Sequence, residues 1–361
     1  MSLITEERVR EVLAGIIDPY TSESIKDTIR AVGVAGTNVS VDIALGYPAE
    51  GWRPTLAALV RETLTAEAGV VSASVSITCR VQAHRVQGKL LPLPGVKNVI
   101  AVASGKGGVG KSTVAVNLAL GLAAEGATVG ILDADIYGPS QPRMLGLTGK
   151  PASPDGKTII PMIGHGLQAM SIGSLVGDDT PMAWRGPMVT QALMQLLGNT
   201  RWDSLDYLVI DMPPGTGDIH LTLAQKIPVS GGIIVTTPQD IALLDAQKGL
   251  QLFNKVGVTI LGIVENMSTH ICSNCGHEEH IFGEGGGQLM SDRYDVPLLG
   301  NLPLDIRIRE QADGGNPTVA AEPESPLAMR YREIARKAAA LLSLSARNEQ
   351  VGFPTIKISN D

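Results

Sequence analysis

The stretch Gly105-Lys-Gly-Gly-Val-Gly-Lys-Ser-Thr113 stands between an apolar run, residues 99–103, and a run with helical periodicity that stops at Gly126. A strand, a glycine-rich loop and a helix in this order are the context that a phosphate-binding P-loop requires. The glycines let backbone N–H groups turn toward phosphates, Lys111 adds a positive charge near the outer phosphates, and the Ser112 hydroxyl binds Mg²⁺. The sequence therefore predicts a solvent-facing ATP-binding loop formed by Gly105, Lys106, Gly107, Gly108, Val109, Gly110, Lys111, Ser112 and Thr113.

A second lysine, Lys106, directly follows the first glycine of the loop. With it, the motif resembles the deviant Walker A motif of the MinD/ParA/nitrogenase-iron-protein group of P-loop ATPases. The resemblance implies that Lys106 reaches the nucleotide bound by a partner chain. It also implies a homodimer in which Lys106 and Lys111 both act in catalysis.

Composition limits the class of protein. The 361 residues are 44% apolar and 18% charged, which is typical of a globular chain. The net charge of -7 argues against nucleic acid held by bulk electrostatics. The sequence shows neither a basic, apolar leader nor 18 consecutive apolar residues, so we expect a cytoplasmic protein with no membrane partner. Three cysteines are too few for a disulfide framework and point to metal or redox chemistry.

Residues 1–85 are predicted to form a small α+β domain, in which Thr5 caps a helix and residues 39–45 alternate as a strand. The domain resembles the iron–sulfur assembly domain that precedes many Mrp-type ATPases. Asp18-Pro19 matches that family, whereas Tyr47-Pro-Ala-Glu50 stands where the family often has a cysteine. Cys79 is interpreted as a small buried apolar side chain.

We expect a linker at residues 86–97, an ATPase domain at 98–345 and a C-terminal tail at 346–361. A short hairpin is predicted from residues 157–160 and 167–170.

Acidic residues end two further apolar runs of the expected ATPase domain: Asp133 and Asp135 after the first, and Asp211 after the second. The carboxyl ends of parallel strands face the ligand crevice of an open α/β sheet. The resemblance implies that Asp133 lies near Mg²⁺, that Asp135 orients the attacking water, and that Asp211 is the Walker B carboxylate at the Mg²⁺ site. Residues 212–218 are predicted to form the switch II loop.

Two stretches, Ile136-Tyr-Gly-Pro-Ser-Gln-Pro142 and Trp184-Arg-Gly-Pro187, resemble the Mrp/ApbC branch of iron–sulfur carrier ATPases. Asn266 follows another apolar run, and by itself it indicates only a turn at a strand end. In related ATPases such an asparagine reads the adenine edge, and the segment with Pro303 packs on the base.

The motif Cys272-Ser-Asn-Cys275 supplies two soft ligands, which is half of a zinc or iron–sulfur site. His277 and His280 could complete a local zinc site, although their spacing is tight for a finger. A redox dithiol is a second interpretation. The third is a 4Fe–4S cluster shared by two chains, which agrees with the dimer implied by Lys106 and with the Mrp/ApbC pattern.

The sequence therefore predicts an α/β P-loop NTPase with a mostly parallel sheet flanked by helices, preceded by a small α+β domain. The resemblance implies a Mg²⁺-dependent ATPase that carries a bridging cluster as a homodimer and transfers it to apoproteins. The alternative function is a MinD/ParA-type dimerisation switch for positioning or partition. The acidic composition and the cysteine pair argue against that alternative.

Overall fold

The computed structural model describes residues 4–174, 186–272 and 274–346. Helices α1–α11 are, in chain order, Glu6–Leu13, Arg53–Thr65, Lys111–Ala124, Gln141–Met144, Gly186–Asn199, Asp218–Lys226, Asp240–Val256, Gly286–Tyr294, Ile306–Asp313, Thr318–Ala321 and Pro326–Ser343. Strands β1–β13 are Ile29–Ala35, Asn38–Leu45, Ser72–Cys79, Val96–Ala103, Val129–Asp133, Met162–Gly164, Leu167–Ser171, Leu205–Asp211, Gly231–Thr236, Ile260–Glu265, His270–Ile271, Glu278–Glu279 and Leu298–Asn301.

The first three strands and first two helices form what we call the N-terminal module. Thr5 caps α1 as expected, since its hydroxyl accepts a hydrogen bond from the Arg8 N–H at 3.2 Å. Strand β2 alternates as predicted and pairs with β3 in parallel and with β1 antiparallel. Strand β1 was not foreseen, because it lies at the sheet edge and is mostly exposed or half-buried, so its apolar alternation is weak.

The large sheet has eight strands in the order β13-β10-β9-β4-β8-β5-β7-β6. All neighbours are parallel except β6 and β7, so the predicted fold class is confirmed. Along β4, alternate residues belong to different apolar layers. Ile100 and Val102 pack on the side of α3 and α11, and Val99 and Ala101 pack on the side of α5, α6 and α7.

The parallel arrangement brings the carboxyl ends of β4, β5, β8, β9 and β10 to one edge of the sheet. The segments that follow these strands contain the P-loop, Asp135, the switch II loop and Asn266. This edge is therefore where the sequence-predicted site residues converge.

The hairpin prediction was correct in its second strand and wrong in its first. Leu167–Ser171 pairs with Met162–Gly164, whereas Ile159 makes only an isolated bridge to Thr200. Strand β4 begins at Val96, inside the expected linker. The described residues include only the first residue of the expected C-terminal tail. Trp184 and Arg185, from the second stretch that resembles the Mrp/ApbC branch, also lie outside the described residues. Within the described residues, no helix is both long and apolar enough to cross a membrane.

Candidate nucleotide and cysteine sites

The P-loop leaves β4 and enters α3 through left-handed glycines. Gly108 and Gly110 both have φ of +81°, and Gly110 is the residue immediately before the helix. A side chain at Gly107 or Gly108 would meet no atom within 4 Å, so the loop has an open side. Consecutive N–H groups at a helix N-terminus, with space beside them, form a cradle that suits a phosphate chain.

Lys111 is buried, contrary to the expectation that this part of the loop faces solvent. Its side chain is 6% exposed, and its ammonium pairs with the fully buried Asp211 carboxylate. The same ammonium donates to the Ser112 hydroxyl at 3.1 Å. The three residues predicted for phosphate and Mg²⁺ chemistry thus lie together, although Lys111 and Asp211 are one hundred positions apart in the chain.

Gln141 joins this group and was not predicted. Its side-chain amide donates to the Asp211 carboxylate at 2.8 Å and to the Ser112 backbone carbonyl at 3.0 Å. It lies in the stretch that resembles the Mrp/ApbC branch. That match was the signal that could have identified it.

Asp133 is completely buried next to Asp211, its partner in the register of β5 and β8. One oxygen accepts from the Asp135 N–H at 3.1 Å, and the other accepts from the Ser140 and Gln141 N–H groups at 2.9 and 3.0 Å and from the Ser171 hydroxyl at 3.2 Å. Burial, followed by the Asp211 charge, raises the pKa of Asp133 to about 7. In this structure Asp133 therefore holds the loop after β5, and its contact with Mg²⁺ stays a prediction.

Asp135 lies in a cleft of about 800 Å³ together with Tyr137, Pro213, Pro214 and His220. Its carboxylate accepts from the Gly138 N–H at 3.3 Å. Burial raises the pKa of Asp135, and the nearby Lys111 charge opposes the rise. Because the Lys111 charge acts on it, this carboxylate is near enough to the P-loop to orient a water molecule for attack on a phosphate held there.

The switch II loop contacts Ser104, the residue between β4 and the P-loop. The Gly215 N–H donates to the Ser104 carbonyl at 3.0 Å. Burial, with the Lys111 charge as a second cause, lowers the pKa of His220 to about 4, so this ring is neutral. Nothing in the sequence singles out His220, because a single histidine after the loop matches no motif.

Asn266 and Pro303 follow neighbouring strands, β10 and β13, and both are buried. The Asn266 side-chain amide donates to the Val109 carbonyl of the P-loop at 2.9 Å. The segment of Pro303 is held by the Leu302 N–H, which donates to the Glu265 carbonyl at 2.9 Å. Asn266 therefore lies against the nucleotide loop, while adenine recognition by either residue stays a prediction.

Lys106 is half-buried, and it has no ion-pair partner within the described part of the chain. The preceding Gly105 lies against α7, where a Cβ would approach the Asp245 carbonyl to 2.1 Å. This contact fixes the backbone of the loop next to Lys106. The contact of Lys106 with a partner's nucleotide stays a prediction.

The cysteine pair lies in the turn of the short hairpin formed by β11 and β12. The Cys272 N–H donates to the His277 carbonyl at 2.9 Å, and the Gly276 N–H donates to the Cys272 carbonyl at 2.8 Å. Cys272 is half-buried and Cys275 is exposed. Hydrogen bonds from the Asn274 and Cys275 backbone lower the pKa of Cys272, which favours the thiolate needed for metal binding.

Within the part of the chain that the structure describes, no third ligand joins the pair. Among residues 4–174, 186–272 and 274–346, no three His, Cys, Asp or Glu side chains are grouped so as to hold a metal ion. His280 contacts the Ser268 carbonyl through Nδ1 at 3.0 Å. This arrangement does not support the local zinc site. The remaining cysteine, Cys79, is half-buried against the apolar core, and burial raises the pKa of its thiol.

Comparison with known proteins gives two family matches. Residues 95–339 match the family described as NUBPL iron-transfer P-loop NTPase, and residues 6–77 match the family of iron–sulfur cluster assembly proteins. An iron–sulfur cluster carrier protein of Pseudomonas fragi is 60% identical over 74% of this chain and 94% of its own length. The carrier protein of Haemophilus influenzae is 51% identical over 92% of this chain and 90% of its own.

Among solved structures, a nucleotide-binding protein of Archaeoglobus fulgidus in complex with ADP is similar to this chain. The two share 37% identity, with a TM-score of 0.57 over 65% of this chain and 91% of the other.

Proposed function

Because the chain belongs to the family of NUBPL iron-transfer P-loop NTPases, we propose that it is an ATP-hydrolysing iron–sulfur cluster carrier of the cytoplasm. It binds a 4Fe–4S cluster between two copies of itself and delivers the cluster to apoproteins. The observation that carries the proposal is the incomplete ligand set: Cys272 and Cys275 lie in an accessible hairpin turn without a third ligand in the described residues. A 4Fe–4S cluster is ordinarily held by four thiolates, so two chains complete it.

The nucleotide part of the proposal depends on residues that already lie together. The P-loop N–H groups bind the phosphates, and nucleotide binding redirects Lys111 from Asp211 toward them. Ser112 and Asp211 would hold Mg²⁺, which would supply charge neutralisation for phosphoryl transfer when bound. Asp135 orients the attacking water at the cleft wall, and Lys106 reaches the nucleotide of the partner chain.

Substitution of single ligands tests the cargo proposal. Each of Cys272→Ala and Cys275→Ala should abolish iron binding after anaerobic reconstitution with iron and sulfide, and should leave nucleotide binding unchanged. Cys79→Ala is the matched control, because that thiol lies in the N-terminal module, and it should retain full iron content.

The local zinc site predicts a different pattern. It requires one zinc per monomer and loss of metal in His277→Ala or His280→Ala. Metal analysis that finds one zinc and no iron in the reconstituted protein would overturn the carrier proposal.

A further inference from the structure

A buried carboxylate joins the far end of the P-loop helix to two other parts of the chain. Glu125 directly follows α3 and is 1% exposed. Its two oxygens accept from Arg332 at 3.0 Å, from Arg336 at 2.8 and 3.0 Å, and from the Gly51 N–H of the N-terminal module at 2.9 Å. A Cβ at Gly51 would lie 2.5 Å from the Arg336 guanidinium, so a side chain at this position would displace Arg336.

The N-terminal module also contacts Arg336, one of the two arginines that bind Glu125, through a set of aromatic side chains that begins at Tyr20. The Arg336 guanidinium lies 5.0 Å from the centre of the Tyr20 ring and donates to its hydroxyl. The Tyr20 ring packs edge-on against Trp52 at 5.7 Å. Tyr47 donates to the Asp18 carboxylate at 2.5 Å, and its ring lies 6.3 Å from that of Tyr20. The Asp18 and Tyr47 stretches that the sequence singled out thus face the ATPase part.

Glu125 is held in its charged form. Burial by itself would raise the pKa of Glu125, but the hydrogen bonds from Arg336 and Gly51 outweigh it, and the pKa is lowered. Separating the module from α3 and α11 would remove the Gly51 N–H from the buried Glu125 carboxylate and the Tyr20 ring from Arg336, and a buried charged group that loses a hydrogen-bond donor is destabilised. One buried apolar cluster also continues from Leu45 and Leu56 of the module to Leu118 of α3 and Tyr331 of α11.

We propose that Glu125 couples the N-terminal module to the nucleotide site, so that the module, α3 and α11 open as one cooperative unit. Nucleotide bound at the start of α3 then stabilises the module as well, although Gly51 of the module contacts Glu125 at the other end of that helix. The inference rests on nucleotide binding alone and is independent of cluster transfer.

Hydrogen exchange on the full chain, with and without Mg-ADP, tests this coupling. At a free ADP concentration about 100 times the Kd, the slowest amides of α3 should exchange about 100-fold more slowly. The slowest amides of β2 should slow by the same factor in the wild-type protein. In Glu125→Gln the response of α3 should persist, whereas the response of β2 should fall.

Two further variants keep the test decisive. Glu67→Gln removes one carboxylate from an exposed pair with Arg8 inside the module, 3.2 Å apart, and should leave the β2 response intact. If Glu125→Gln does not fold, Tyr20→Phe removes only the hydroxyl that contacts Arg336, and it should reduce the β2 response. The coupling is overturned if β2 of the wild-type protein does not respond to Mg-ADP. It is also overturned if a folded Glu125→Gln or Tyr20→Phe protein keeps the full β2 response.

Discussion

Replacing Lys111 by alanine should destabilise the nucleotide-free protein as well as abolish hydrolysis. The substitution leaves the Asp211 carboxylate buried beside Asp133 without its cation. Loss of one partner from a buried pair costs about 3–5 kcal/mol. In a chain of this size, each kcal/mol of lost stability lowers the melting temperature by about 2 °C. Lys111→Ala should therefore melt roughly 6–10 °C below the wild-type protein. Differential scanning calorimetry at pH 8 without nucleotide measures this change.

Two controls show whether the loss of stability arises because the Asp211 charge is buried. Lys97 pairs with Asp206 at 2.7 Å with its side chain 48% exposed, so Lys97→Ala should cost at most about 1 kcal/mol. The double variant Lys111→Ala/Asp211→Asn removes both buried charges and should recover most of the melting temperature while remaining inactive. A Lys111→Ala protein that melts like the wild type would show that the buried Asp211 charge does not depend on Lys111 for its stability.

Three further predictions concern residues around the same pair. Asp135→Asn should retain ADP affinity in calorimetry but lose hydrolysis by roughly 100-fold or more, because it acts after binding; a matching loss of affinity would contradict this role. Gln141→Ala should lower the free energy of unfolding by about 1–3 kcal/mol, measured in urea, because Asp211 loses a buried donor; an unchanged value would rule this out. Asp133 has a raised pKa, so the native state holds a proton that the unfolded state releases between about pH 4 and 7. The contribution of Asp133 to the free energy of unfolding therefore falls as pH rises through that window, by at most about 1.4 kcal/mol per pH unit. Asp133→Asn should flatten the dependence of stability on pH. An unaltered pH dependence in this variant would show that another group is responsible.

The P-loop could be predicted because its information is contiguous: the strand, the glycines and the helix lie within about thirty residues. The roles of Asp133 and Asp211 at the site could also be predicted, since each residue ends an apolar run and parallel strands bring such ends to one edge of the sheet. The strands of the large sheet could be predicted from the same apolar runs. Short or mostly exposed strands, such as β1 and β6, were missed because few of their residues are buried and their apolar pattern is weak.

The remaining features depend on pairs that are distant in sequence. Lys111 was expected to face solvent, because nothing local reveals that Asp211 closes over it. Glu125 and its arginines are more than two hundred positions apart, and each looks like an ordinary surface residue of a helix end or a helix. His220 is surrounded by no pattern at all. Such contacts arise from tertiary packing, which single-sequence periodicity does not encode.

Native mass spectrometry of anaerobically reconstituted protein can show whether two chains share one cluster, because it counts chains, irons and sulfides in one particle. We predict a dimer that carries four irons and four sulfides, and a monomer that carries none. A monomer that holds the complete cluster, or a dimer with one cluster in each chain, would contradict it.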